Sequence, residues 1–264
     1  MDVRYKRHKQ ARKTLKEIEE SPRDYLVIHY SCESFYDIHD GRTPRITSIA
    51  VRELDSGQTH SFSIHKIAEK QGVPLDVING KYDELEKAML DELMDFIQKS
   101  TKFKWVHWNM RDINYGFPAI YHRYEVLNGT PCKIDDSRLI DIARVLKDCY
   151  GEGYAGGHPR MQKLLELNDM SHRELLSGKG EAVAFSAHEY VKLHQSTLRK
   201  VNEISNIVTM ACENKLKTAS SLIEIYGWSP QSLYEMLRDR WWFAILAFML
   251  GVVAGLVLEK AWSF

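Results

Sequence analysis

The pattern of apolar and polar positions divides the chain into short strand-like runs, longer helical periodicities and one uncharged stretch near its end. The first twenty residues are rich in Lys and Arg, with Leu15 and Ile18 as apolar contacts. They predict a solvated helix ended by Ser21-Pro22, and phosphate or lipid headgroups are the partners that would suit it. Asp24–Tyr30 (DYLVIHY) reads as a buried strand and Arg45–Leu54 as a second. After the turn residues Asp55-Ser56-Gly57, Thr59–His65 alternates like the returning strand of a hairpin. From Tyr82 to Lys99, Leu85, Met89, Leu93, Phe96 and Ile97 recur at helical spacing. Lys104–Trp108 suits a strand, Tyr115–Leu127 a helix, Arg138–Leu146 a further apolar segment and Met161–Leu167 a short helix. A long helix is expected over Glu181–Lys217, followed by a helical link over Ser220–Leu237. Gly151–Gly157 (GEGYAGG) lacks the Lys-Ser/Thr of a phosphate-binding loop and is expected to be a flexible connection.

Strands followed by alternating helices and strands predict an α/β layer fold with a mixed sheet flanked by helices. The expected division is a basic helix at 1–23, an α/β domain at 24–217, a helical linker at 218–240 and a transmembrane helix at 241–258. That last segment, WWFAILAFMLGVVAGLVL, is uncharged between Arg240 and Glu259. At 1.5 Å per residue it matches a hydrocarbon core roughly 30 Å thick. Trp241, Trp242 and Trp262 sit where interfacial aromatics sit, and Arg238 and Arg240 place the preceding domain in the cytoplasm. Gly251 and Gly255 form a GxxxG pair suited to a homodimer of membrane helices.

Charge and cysteine content narrow the chemistry. Thirty-six basic residues balance thirty-six acidic ones, so any attraction to nucleic acid or anionic lipid is local. Cys32, Cys132, Cys149 and Cys212 are scattered, without zinc-site spacing, as expected of reduced cytosolic thiols. No secretory signal is read in the first residues. Trp105, Trp108, Arg111, Tyr115, Phe117, Tyr121, His122, Arg123 and Tyr124 form an aromatic and basic cluster. Most of these aromatics are expected in the core, with Arg111 and Arg123 facing a ligand. His29 and His107, inside apolar runs, read as core histidines. His188 and His194 are six apart and do not share a helix face.

Three stretches, YLVIHYSCES, HWNMRD and LHQSTLRKV, together resemble the DEDD 3′–5′ exonucleases of the ribonuclease-H-like fold, and the order of elements fits from Asp24 to Cys212. The resemblance places Glu33 on the family's first-strand glutamate and Ser31 where its first aspartate belongs. His107 and Asp112 match the ends of the second motif, with Trp108 in place of Asn. His194 matches the late histidine, and Arg199 stands where the final aspartate belongs. The resemblance implies a ribonuclease-H-like sheet and phosphodiester hydrolysis with Mg²⁺ or Mn²⁺, with Glu33 and Asp112 as metal ligands and His194 orienting water. Arg199 and Lys200, with Arg111, would instead suit phosphate.

Three functions compete. One is a membrane-anchored nuclease acting from a 3′ end. Another is a degenerate exonuclease fold that binds nucleic acid or nucleotide and signals to the membrane, with antiviral defence as an analogy. The third is a scaffold for a protein partner.

Overall fold

The computed structural model describes residues 3–34, 43–171 and 174–228, together with 230, 245, 248, 249, 252 and 253. The expected span at 241–258 and its Gly251 and Gly255 lie almost wholly outside the described residues. Among those described, no helix is long and apolar enough to cross a membrane.

In chain order the elements are α1 (Val3–Glu20), β1 (Tyr25–Cys32), β2 (Ile46–Glu53), β3 (Thr59–Ser63), α2 (Ile64–Lys70), α3 (Tyr82–Lys99), β4 (Lys104–His107), α4 (Phe117–Val126), β5 (Leu139–Asp141), α5 (Ile142–Tyr150), α6 (Arg160–Leu167), α7 (Gly178–Ser186), α8 (Tyr190–Cys212) and α9 (Leu222–Tyr226). The strands form one sheet in the order β3-β2-β1-β4-β5. β4 and β5 run parallel to β1, whereas β2 runs antiparallel to it and pairs antiparallel with β3. The architecture is α/β, with a mixed five-stranded sheet flanked by helices.

The apolar run of β1 has its physical cause here: every residue of the strand is buried, because helices cover both faces. Leu26, Ile28 and Tyr30 pack with Ile49, Val51 and Trp105 toward α3 and α4. Val27, Ala50 and Val106 pack on the other face, against Leu15 and Ile18 of α1, Leu146 of α5 and Ile204 of α8.

Several expectations are corrected. The long helix over Glu181–Lys217 is two helices, α7 and α8, because His188 adopts a left-handed conformation (φ 59°) and the Glu189 N–H caps back to the Ala184 carbonyl. α8 then stops at Cys212, with Asn214 left-handed at φ 58°. Of the link expected over Ser220–Leu237, residues 220–228 and 230 are described; they include a helix at Leu222–Tyr226, closed by Gly227 at φ 82°, and the remainder lies outside the described residues. The third strand ends at Ser63, where α2 begins. Gly151–Gly157 is not a loose connection, since Tyr154 and Ala155 are fully buried and the Tyr154 carbonyl accepts the Ala219 N–H at 2.9 Å.

Arg123 does not face a ligand either. It is buried between α4 and α3, with its guanidinium 2.6 Å from both Glu86 and Asp83. Glu86 is wholly buried and also accepts the Ile46 N–H at 2.6 Å. Burial pushes the Glu86 carboxyl up, and Arg123 pulls it back. The group is a satisfied internal ion pair tying α3, α4 and β2 together.

Candidate functional site

The carboxyl ends of β1, β4 and β5 open on one edge of the sheet, the place where open α/β sheets take ligands. On β1 the register shifts at a bulge between Ser31 and Cys32, a device that re-aims side chains at a strand end. Ser31 is buried on the α8 side and donates its hydroxyl to Glu181 Oε1 at 2.5 Å. The same oxygen lies 2.7 Å from Lys200 Nζ. Ser31, Glu181 and Lys200 thus bind one another across β1, α7 and α8. The neighbouring His29 is held neutral, its pKa depressed by burial and by Lys200.

Glu33 follows the bulge, half-buried, and its carboxylate accepts the Arg45 N–H at 3.3 Å. Asp112 is exposed in the loop after β4, where Oδ1 accepts both the backbone and side-chain N–H of Asn114 at 2.8 Å. That pattern is an Asx turn. Asp112 N–H reaches the Tyr115 carbonyl, and Arg111 bridges to Gly116 as the loop closes on itself. Gly116 is required there, because a Cβ would come within 2.3 Å of the Met110 backbone and φ is +152°.

The ends of β4 and β5 bring together a second constellation. His107 and Asp141 are opposite one another in the parallel register. Met110 N–H donates to His107 Nδ1 at 3.1 Å, so the neutral ring carries its proton on Nε2 and can only donate there. Burial pushes the His107 pKa down to about 4 against the pull of Asp141. Asp141 is the N-cap of α5, with Oδ1 accepting Ala143 N–H and Asn109 N–H at 3.1 Å. Its Oδ2 lies 2.6 Å from Arg111 Nε, and Arg111 Nη2 donates to Asn109 Oδ1 at 3.3 Å. The guanidinium is held on two sides while 52% of the side chain remains exposed.

His107, Arg111 and Asp141 line a cavity of about 690 Å³. Met110, Phe117 and Tyr121 give it an apolar wall, and Arg7 of α1 and Arg144 of α5 stand at its rim. Such a mixture of aromatic wall and placed donors suits a base or sugar beside a phosphate.

The structure places His194 elsewhere. It is buried on α8 against His65, ring centroids 5.1 Å apart, with no hydrogen-bond partner for either ring nitrogen among the described residues. Burial, with Lys66 and His65 nearby, lowers its pKa to about 3. Arg199 also turns away from the strand ends, pairing with Glu203 at 2.8 Å and donating to the Ser171 carbonyl at 3.1 Å. Of the two neighbouring cations, Lys200 is the one that reaches β1.

The residues present do not fit a pair of catalytic cations. At the strand end Ser31 offers a hydroxyl where the resemblance would expect an aspartate, a lysine ammonium lies against the Glu181 carboxylate, and Asp112 is engaged in its turn. Among the described residues, no group of three or more His, Cys, Asp or Glu is arranged to hold a metal ion. Asp141 and Glu181 were not singled out from the sequence. Asp141 had a legible signal, an Asp immediately before the apolar start of a helix; Glu181 had none. Compared with known proteins, the chain matches no family model, no curated protein and no solved structure.

Proposed function

We propose that this chain is a nuclease-derived recognition module of ribonuclease-H-like type. It binds a nucleotide, or the terminal nucleotide of a single strand, without metal, and its apolar segment at 241–258 holds it to a membrane. The observation that carries this reading is Arg111, fixed by Asp141 and Asn109 at a cavity of about 690 Å³ with an aromatic wall. A guanidinium oriented in advance loses little freedom on meeting a phosphate and can bond it through two N–H groups. His107 adds a neutral donor, and Phe117 and Tyr121 offer apolar surface to a base. The Ser31–Glu181–Lys200 link supports the same reading, since its internal charge balance removes the attraction a cation would need.

The test is fluorescence anisotropy of labelled single-stranded oligonucleotides with the full chain in detergent micelles, in EDTA and in Mg²⁺. Equal affinity in both, falling with salt, is the expected result. Release of mononucleotides that requires Mg²⁺ or Mn²⁺ and disappears in Glu33→Ala would overturn the reading in favour of hydrolysis.

A further inference from the structure

α1 forms one wall of the cavity at the strand ends, through Arg7, Gln10, Ala11 and Thr14. Its place there is fixed from the inward side, where backbone carbonyls engage its cationic and imidazole side chains. Arg4 Nη2 donates to the Cys149 carbonyl at 2.9 Å, His8 Nδ1 lies 2.7 Å from the same oxygen, and Arg12 Nη1 donates to the Ala211 carbonyl at 3.1 Å. Leu15 and Ile18 are buried in the core. The helix is thereby held against α5 and α8 while Arg7, Gln10 and Thr14 line the cavity.

Helix phase fixes what stands beside that wall, because residues three and four apart are neighbours on a helix surface. Gln10 has Arg7 and Thr14 on its cavity side and Lys6 and Lys13 on its other side. Lys9 and Lys16 follow one row further round, each three residues after Lys6 or Lys13. All four lysines are exposed, as are Arg7 and Gln10, so the basic surface continues from the cavity rim onto open helix. No acidic residue lies between Val3 and Lys16. Beyond that stretch, Glu17 and Glu20 meet Lys13 and Lys16 at 3.8 and 3.6 Å, in solvent-exposed pairs that compete weakly with phosphate. From Lys6 to Lys16 the helix rises about 15 Å, which matches about four stacked nucleotides at about 3.4 Å each.

The geometry points to α1 as the track for a single-stranded nucleic acid. The terminal nucleotide enters the cavity at Arg111, and the phosphates that follow cross α1 over Lys6, Lys13, Lys9 and Lys16. This rests on the proposed recognition of a nucleotide in that cavity and narrows it to the end of a strand, since a mononucleotide ends within the cavity. The lysines meet phosphate and not base edges, so they add affinity without reading sequence. An anionic lipid surface would also attract the lysines, but it would leave the cavity and Arg111 beside them unused, whereas a strand engages both.

The test measures binding of adenosine monophosphate, and of single-stranded adenylate chains two, four, six and twelve nucleotides long, to the full chain in detergent micelles and EDTA. Wild type is compared with a variant carrying Lys6→Gln, Lys9→Gln, Lys13→Gln and Lys16→Gln. Gln keeps helix propensity at these exposed positions, so α1 is retained. Wild-type affinity is expected to rise with length to about five nucleotides and then level off. The variant should lose that gain with RNA and DNA alike and bind the monophosphate as wild type does. With the six-nucleotide chain, a fourfold rise in salt should weaken wild type about 50-fold more than the variant, at a slope of about 0.7 per neutralised phosphate. Equal length and salt dependence in the two proteins overturns the track and leaves the nucleotide site standing. A wild type that does not bind the monophosphate removes the site and the track together. Protection of the four lysines from acylation by phosphatidylserine vesicles, and not by the six-nucleotide chain, assigns them to a lipid surface and overturns the track.

Discussion

Arg123 and Arg111 lie twelve residues apart on either side of the α4 N-terminus, yet one has 6% of its side chain exposed and the other 52%. Each is held by carboxylate. Arg123 is enclosed on the α3 side of the sheet, where its Nε and Nη2 donate to buried Glu86 and Nη2 also to Asp83. Arg111 is held at the strand ends by one carboxylate and one amide, which orient it without covering it. The first arrangement cements helices, and the second presents a cation. What separates structure from recognition here is how many donors remain after the internal partners are counted.

That contrast can be broken experimentally. Arg123→Met should leave Glu86 charged and unpaired in the core and cost about 3–5 kcal/mol of stability. Urea unfolding of the membrane-reconstituted chain measures it, and a loss under about 1 kcal/mol would mean that the pair is not truly internal.

The next effect belongs to the buried histidines. His107 and His194 have folded pKa values depressed to about 4 and about 3, below the unfolded value near 6.5. Below pH 6.5 the unfolded chain takes protons that the folded chain refuses. Stability is therefore full above pH 6.5 and falls by about 1.4 kcal/mol per pH unit for each histidine until the folded pKa is reached. Melting temperature recorded from pH 7.5 downward should decline from just below 6.5, and more gently in His194→Gln.

Lys200→Met comes third, since it strands Glu181 in a half-buried place at about 1–3 kcal/mol. The double change Lys200→Met with Glu181→Met should recover part of that loss, a coupling that separate unfolding curves would reveal. Smallest is Arg111→Met, expected to change stability by no more than about 0.5 kcal/mol. A large loss there would place Arg111 with Arg123 as cement.

Much of the frame was legible. α3 begins and ends where the spacing of Leu85, Met89 and Leu93 predicts, β2 and β4 lie within their expected runs, and β1 runs two residues past its expected end at Tyr30. Periodicity reports which face is buried, and this sheet is covered on both sides. The break between α7 and α8 was not legible, because His188 takes a left-handed conformation without the Gly or Asn that marks one. Gly227 and Asn214 did carry that mark and limit α9 and α8. Arg123 was misread because its partner Glu86 lies on a different helix, 37 residues earlier in the sequence. A Glu at position 86, on the apolar stripe beside Leu85 and Met89, was the available sign of a buried cation. At the site, residue types alone could not tell that Lys200 and not Arg199 reaches β1, which depends on helix phase.

The most direct measurement is isothermal titration of adenosine monophosphate into the full chain held in EDTA, with Arg111→Met and Arg199→Ala alongside. Binding in the wild type, weakened at least about tenfold in Arg111→Met and unchanged in Arg199→Ala, is the predicted result. Binding that begins only after Mn²⁺ is added and is indifferent to Arg111→Met would contradict it.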